Sequence, residues 1–251
     1  MNVAYLLEDT TISALARLTM AHADALIARG HRVRIVTKGE PVTWRSSRAE
    51  WVYVDDFAEY DRRDDEYIGP APENLLVDDE IYRAVTPSEN EPLRVLLSGA
   101  AQIEHKGIDE GYGAIAHARW FHQKLDLVRV SPWAPSREEP LDAVQEFHVA
   151  LTTAEMTRLL HTCDVFVAPS HAEERFGLAA AEAMASGIPC VLTSNAAHLA
   201  FDETHDYALF APEQNAVELG EKLIELLSDD QLRERLRMRG REVAEKWHPQ
   251  K

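Results

Sequence analysis

Apolar residues in this chain come in short continuous runs, separated by stretches in which they recur at helical spacing. Val3 to Leu7 is the first run. Intervals of three and four then govern Ile12 to Ala28, with Leu15, Leu18, Ala21, Ala25 and Leu26 as the expected buried face. Gly30 stops that helix, Val33 to Val36 is a second apolar run, and a third short strand is expected at Trp51 to Val54. Strand, helix, glycine stop and strand make a βαβ unit.

Residues 55 to 92 break the rhythm. D-D-F-A-E-Y-D-R-R-D-D-E-Y is densely charged, and P-A-P-E-N and T-P-S-E-N-E-P are rich in Pro, Asn and Ser, so linker and loop are expected there. From Leu93 the alternation returns. Strands are expected at L-R-V-L-L-S, L-D-L-V-R-V, E-F-H-V, D-V-F-V-A and I-P-C-V-L. Helices are expected from Gly107 to His122 and over T-A-E-M-T-R-L-L-H-T and L-A-A-A-E-A-M-A-S, with two more at Ala216 to Leu227 and Gln231 to Trp247. Continuous rather than alternating apolar strands belong to a parallel sheet covered on both faces, which makes this part a doubly wound, Rossmann-like domain. The expected organisation is a short Rossmann-like domain over residues 1–58, a charged and Pro-rich linker over 59–92 and a larger Rossmann-like domain over 93–251.

Composition narrows the function. A formal charge of -17 over 251 residues disfavours nucleic acid as a partner, since phosphodiester backbones need positive patches. The basic stretch L-R-E-R-L-R-M-R-G-R interleaves Arg with Glu and Leu at helical spacing and reads as a solvated helix face. Cys163 and Cys190 lie in apolar stretches, where buried thiols are expected rather than a disulfide or metal ligand. With no basic leader before the first strand and no apolar run near the roughly 20 residues of a membrane span, a cytoplasmic protein is expected. Association with a membrane surface or a partner protein stays open. The histidines His105, His122, His148, His161, His171 and His198 show no metal-ligand spacing, so no metal is expected.

Ligands of open α/β sheets bind beyond the carboxyl ends of the strands, where free amides and the dipole at helix N-termini attract anions. The loop after D-V-F-V-A reads P-S-H-A-E-E-R-F-G-L-A-A-A-E-A-M-A-S-G-I-P-C-V. Glu174 and Glu182 are eight residues apart, a little over two helical turns, so one helix could present both carboxylates to one ligand. Phe176, Gly177 and Leu178 would leave backbone amides free at the helix start, and Gly177 permits close approach. A first-turn Glu and a surface Glu explain the same residues without a ligand. The loop after L-R-V-L-L-S runs from Gly99 through G-A-A-Q-I-E-H-K-G, with Lys106 and Gly107 before a helix. A lone Lys is ordinarily solvated, but this loop is in the right place for an anion. His148, at a strand end, and His171, in the loop of Glu174, are candidates to touch a ligand, and a satisfied structural imidazole is the more ordinary explanation of each. Asp9, Thr10 and Ser13 follow the first strand and would face a cleft if the two domains oppose each other, although a helix cap accounts for Thr10 or Ser13 just as well.

The string A-P-S-H-A-E-E-R-F-G-L-A-A-A-E-A-M-A-S-G-I-P-C-V-L-T resembles the E-x7-E block of the group 1, retaining glycosyltransferases, and the likeness extends from Leu93 to Trp247. That resemblance implies a GT-B-like α/β fold of two Rossmann-like parallel-sheet domains, here with the N-terminal one shortened. It implies a nucleoside-diphosphate sugar donor (a UDP, GDP, ADP or TDP sugar) and glycosyl transfer with retention, without metal or other cofactor. By the same resemblance Glu174 lies by the transferred sugar, the Phe176–Gly177–Leu178 backbone contacts sugar and phosphate, and Glu182 takes the ribose hydroxyls. Lys106, with Gly99 and Gly107 around it, matches the Lys of a Lys–Arg clamp on the diphosphate, and the Arg position holds Ala101. Catalysis is expected to fall to Glu174 and Lys106. The missing Arg and the short first domain keep open a noncatalytic nucleotide-sugar-binding or partner subunit, or another GT-B enzyme such as an epimerase.

Overall fold

A computed structural model describes residues 1–11, 13–61, 65–69, 92–122 and 124–247. The chain divides into two compact units, Met1–Asp78 with Trp247–Lys251, and Asp79–Lys246. Residues 62–64 and 70–91 of the expected linker lie outside the described residues.

The first unit holds a parallel sheet in the order β3-β2-β1-β4, from β1 (Asn2–Leu7), β2 (Arg32–Thr37), β3 (Glu50–Tyr53) and β4 (Tyr67–Gly69). Helix α1 (Ala14–Ala28) starts where the Ser13 side chain accepts from the Ala16 amide, and Gly30 at φ 85° turns the chain into β2. Its buried face matches the sequence expectation in part. Leu18 is fully buried and Leu26 packs against the core, but Leu15 is 39% exposed, Ala21 and Ala25 are only partly buried, and Ala16, Met20 and Ala23 complete the inner face.

The linker reading is corrected at β4, which pairs with β1 through Ala4↔Ile68 and gives the unit a fourth strand. Charge draws this segment back. Arg34, in the middle of β2, donates to the Tyr60 hydroxyl at 3.2 Å and Asp65 Oδ1 at 3.2 Å, while Tyr60 donates to Asp65 Oδ2 at 2.7 Å. The Asp65 side chain is almost fully buried by this cluster. Three residues among acids leave no apolar run to read.

The second unit is a six-stranded parallel sheet ordered β10-β9-β8-β5-β6-β7. Its strands are β5 (Leu93–Ser98), β6 (Leu125–Ser131), β7 (Glu146–Val149), β8 (Val165–Ala168), β9 (Cys190–Thr193) and β10 (Leu209–Ala211). Helices α2 (Ile108–Arg119), α3 (Thr153–Leu160), α4 (Leu178–Ala185), α5 (Ala196–Leu199), α6 (Ala216–Ser228) and α7 (Asp230–Glu245) connect and cover it. One core joins Val95, Leu97, Leu127, Val165, Val167 and Val191 of the strands to Ile108 and Ile115 of α2 and to Leu219, Leu223 and Leu226 of α6. Cys163 and Cys190 are buried free thiols, and burial pushes Cys163 up to about 11. Four arginines of α7 are held in ion pairs, Arg233 with Asp230, Arg237 with Glu234, Arg239 with Asp206 and Arg241 with Glu245, as a solvated face would be. No helix among the described residues is long and apolar enough to cross a membrane.

The chain winds β5→β6→β7 outward in one direction, then returns to β8 on the other side of β5 and winds β8→β9→β10 the opposite way. The switch point of this sheet is therefore between β5 and β8.

Beside it lies a buried charge network. Arg129 of β6 is fully buried; its Nε donates to Glu139 Oε1 at 3.1 Å and its Nη1 to the Val130 carbonyl at 2.5 Å. Glu139 also accepts from Tyr112 of α2 at 3.1 Å and from the Ser136 amide at 2.9 Å. One carboxylate thus ties a strand, a helix and the Pro-rich loop together. Removing one partner of such a pair strands a buried charge, at a cost of about 3–5 kcal/mol. In urea denaturation Glu139→Ala should lose about that much, whereas Arg129→Met combined with Glu139→Leu should lose clearly less; equal losses would show that packing, not charge pairing, dominates.

Candidate functional site

Two loops meet at the switch point. After β5, Gly99 at φ 142° leads through a 3-10 turn, Glu104–Lys106, to Gly107, which takes a left-handed conformation (φ 61°) and caps α2. After β8, residues Pro169 to Phe176 lead to Gly177, left-handed at φ 58°, which caps α4. The loops are stitched by the His171 amide, which donates to the His105 carbonyl at 2.8 Å. They also pack without room to spare, since a Cβ on Gly107 would stand 2.1 Å from the Pro169 carbonyl oxygen.

Across this seam Lys106 Nζ lies 2.5 Å from Glu174 Oε2, with 27% and 9% of the two side chains exposed. The other Glu174 oxygen accepts from the amides of Phe176 and Gly177, each at 3.3 Å. Burial alone would raise the Glu174 pKa. The Lys106 ammonium and the two amides outweigh it and hold the carboxyl at about 2. A cation and two backbone amides that converge on one carboxylate are the donor set of an anion site, and here Glu174 itself is the anion.

The sequence expectation of one helix presenting two carboxylates is corrected. Glu174 precedes the helix, and Gly177 breaks the helical phase between Glu174 and Glu182. Glu182 is on α4, only 2% exposed, among Leu178, Ala180, Ala181 and Ala183. The Phe176 and Gly177 amides, expected to be free, are already turned to Glu174.

His148 is on β7, two strands from β5 and so about 10 Å across the sheet. Its Nε2 is 3.1 Å from Glu146 Oε2, which in turn pairs with Arg94. His171 is buried with Nε2 3.3 Å from Glu110 Oε1 on the first turn of α2. In the first unit Ser13 caps α1, and the Thr10 hydroxyl donates to the Glu40 carbonyl, so both have structural employment.

Sequence reasoning missed the floor of the β8 loop. Asn195 Nδ2 donates to the Ser170 carbonyl at 3.0 Å, and the Thr193 hydroxyl donates to the same oxygen. The His198 amide donates to Asn195 Oδ1 at 2.9 Å, and His198 Nδ1 lies 2.9 Å from the Thr193 carbonyl. Burial holds the His198 pKa below its ordinary range. A Cβ on Gly177 would meet Phe201 at 2.7 Å and His198 at 3.0 Å, so this floor fixes the turn that aims the amides. The S-N sequence after β9, ahead of a short helix, was the only signal, and it reads as an N-cap.

With this geometry in place, residues 134–243 match the family of group 1 glycosyl transferases. The chain is 32% identical over 146 residues to the N,N'-diacetylbacillosaminyl-diphospho-undecaprenol alpha-1,3-N-acetylgalactosaminyltransferase of Campylobacter jejuni, a match that covers 55% of this chain and 37% of that protein. The matched stretch is thus well under half of the relative's length. Among solved structures, WaaG, a glycosyltransferase involved in lipopolysaccharide biosynthesis, superposes with a TM-score of 0.75 at 16% identity over 97% of this chain and 95% of that one. HepE of Anabaena, solved in complex with UDP-glucose, gives 0.70 at 13% identity over 99% and 96%. These likenesses establish the fold as GT-B-like, with two Rossmann-like parallel sheets. The segment 134–243 that matches the group 1 glycosyl transferases contains Glu174, Phe176, Gly177, Leu178 and Glu182 but not Lys106.

Two predictions test the geometry. Gly107→Ala must move the Pro169 backbone and adopt a left-handed conformation, so it should cost at least about 2 kcal/mol in urea denaturation; a neutral result would contradict the close seam. The depressed Glu174 pKa contributes stability that is complete above about pH 4.5 and fades as pH falls toward 2. Glu174→Gln should therefore flatten the loss of stability between pH 5 and pH 3, and a variant with the wild-type slope would refute the ion pair.

Proposed function

We propose that this group 1 glycosyl transferase takes a nucleoside-diphosphate sugar and transfers the glycosyl group with retention of anomeric configuration. The observation that carries the proposal is the Lys106–Glu174 pair over the Phe176 and Gly177 amides, at the one point of the sheet where two loops diverge. In the ligand-free chain the Glu174 carboxylate fills a site suited to a phosphate. The donor's diphosphate replaces it at Lys106 and at the N-terminus of α4, where the Leu178 amide begins the helix.

Each residue then has a task. Negative charge grows on the diphosphate as the glycosidic bond breaks, and Lys106 with the helix amides stabilises it where it develops. Glu174, turned from Lys106, accepts from hydroxyls of a transferred hexosyl group and fixes its pose. Glu182 accepts from the ribose. Gly99 and Gly107 shape the β5 loop that carries Lys106 to the diphosphate, Gly107 by admitting the Pro169 backbone, and His148 lies about the length of a nucleoside away, at the base end. UDP is the first nucleotide to test, because HepE holds UDP-glucose. Ala101, in place of a second cation, favours a noncatalytic nucleotide-sugar-binding role as the second reading; hydrolysis or transfer of a bound donor separates the two.

Glu182→Ala should weaken binding of UDP, GDP, ADP or TDP, whichever binds best, and unchanged affinity by calorimetry would sink the ribose assignment. Lys106→Ala should weaken the nucleoside diphosphate at least about tenfold while sparing the nucleoside. Glu174→Gln separates the two roles of that carboxylate. It should bind the nucleoside diphosphate as tightly as wild type or tighter, because the competing anion is gone, yet lose transfer by more than about a hundredfold. A parallel loss of affinity would contradict the replacement of Glu174 by phosphate.

A further inference from the structure

We propose that Arg175 is the second cation of the diphosphate site, a role that rests on the donor-site reading above. A nucleoside diphosphate carries about three negative charges when it leaves, in a chain whose own formal charge is -17. Lys106 cannot balance it alone, because it carries a single charge and Glu174, its partner at 2.5 Å in the ligand-free chain, still adds a negative charge to the loop after it turns to the sugar. Another cation is required near the seam between β5 and β8.

The strand-end loops of the second unit offer few. They comprise residues 99–107, 132–145, 150–152, 169–177, 194–195 and 212–215, and their only Lys or Arg residues are Lys106, Arg137 and Arg175. Arg137 follows β6, on the side of β5 away from β8. Arg175 is in the β8 loop itself. It stands between Glu174 and Phe176, within the turn whose amides at Phe176 and Gly177 close around the Glu174 carboxylate. Its side chain is exposed, with Cζ over the Phe176 ring at 5.6 Å from the centroid. A planar guanidinium held on a ring at the rim of an anion site can swing to take two phosphate oxygens at once, which a lysine ammonium does not do. The loop thus supplies, one residue after Glu174, the charge absent at Ala101.

The test is calorimetry at low ionic strength with UDP, GDP, ADP and TDP, then with the nucleoside of whichever binds best, on wild type, Arg175→Met and Arg175→Lys. Melting temperatures of the variants establish that each is folded before its affinities are compared. Arg175→Met is expected to weaken the nucleoside diphosphate about tenfold, to leave the nucleoside unchanged and to lower the salt dependence of binding, with Arg175→Lys in between. Unchanged diphosphate affinity in Arg175→Met, or equal losses for diphosphate and nucleoside, would overturn the role of Arg175 while the donor site stands. If wild type binds none of the four nucleotides, the donor-site reading itself fails, and this role with it.

Discussion

The constraint on which the site depends is the reversal of winding between β5 and β8. In a parallel sheet every strand ends on the same edge, and its following helix begins there with amides that have no partner in the helix. Elsewhere along the edge consecutive loops lean the same way and cover one another. Between β5 and β8 they diverge, and two helix N-termini, those of α2 and α4, are left beside a common gap. Both helices are capped by left-handed glycines, and the space a Cβ would take is filled by the Pro169 carbonyl at Gly107 and by Phe201 and His198 at Gly177. The Lys106–Glu174 pair is the chain's own answer to the potential this creates, a carboxylate set where positive charge converges.

Such a gap is useful only if its walls keep their spacing, and the packing around it is polar where a core would ordinarily be apolar. Glu139 joins β6, α2 and the loop after β6 in one buried cluster. Gln102, in the Lys106 loop, reaches that same loop through the Ala134 carbonyl at 2.9 Å. On the other wall Thr193, Asn195 and His198 hold the backbone at Ser170. Hydrogen bonds of this kind are directional, so they fix the orientation of a loop more narrowly than apolar contact of the same area. The expense is desolvation, which every member of both networks meets by finding a partner.

How much of this could be read from the sequence follows from the range of each interaction. The strands of the second unit were legible because burial on both faces makes them continuously apolar, as in V-F-V-A and C-V-L-T. The string around Glu174 was legible because loop, glycine cap and helix are contiguous. Tyr67–Gly69 was not, since an edge strand held by Arg34 and Asp65 owes its place to residues 31 apart and carries no apolar run. The inner face of α1 was legible in part: Leu18 and Leu26 are turned inward as their spacing suggests, whereas Leu15 is exposed and Ala16, Met20 and Ala23 complete the buried face. Arg129 did leave a trace, an arginine inside the apolar strand L-D-L-V-R-V. Its partner Glu139 left none, because nothing in a Pro-rich loop marks which of its acids turns inward.

The same distinction between local and global properties governs the charge of the molecule. A net charge of -17 predicts poor affinity for anions, and its repulsion acts on an anionic ligand that comes within a Debye length, about 10 Å, of the surface. Within the site the balance is set by groups a few ångströms away. Lys106 and the amides of Phe176 and Gly177 converge on Glu174, whose carboxylate they hold. A phosphate that takes the place of the Glu174 carboxylate meets donors already aimed at an anion, but it adds its charge to that of the displaced carboxylate, which then needs partners of its own. The acidic surface then limits how readily an anion arrives, while the seam between β5 and β8 determines what is held once it does.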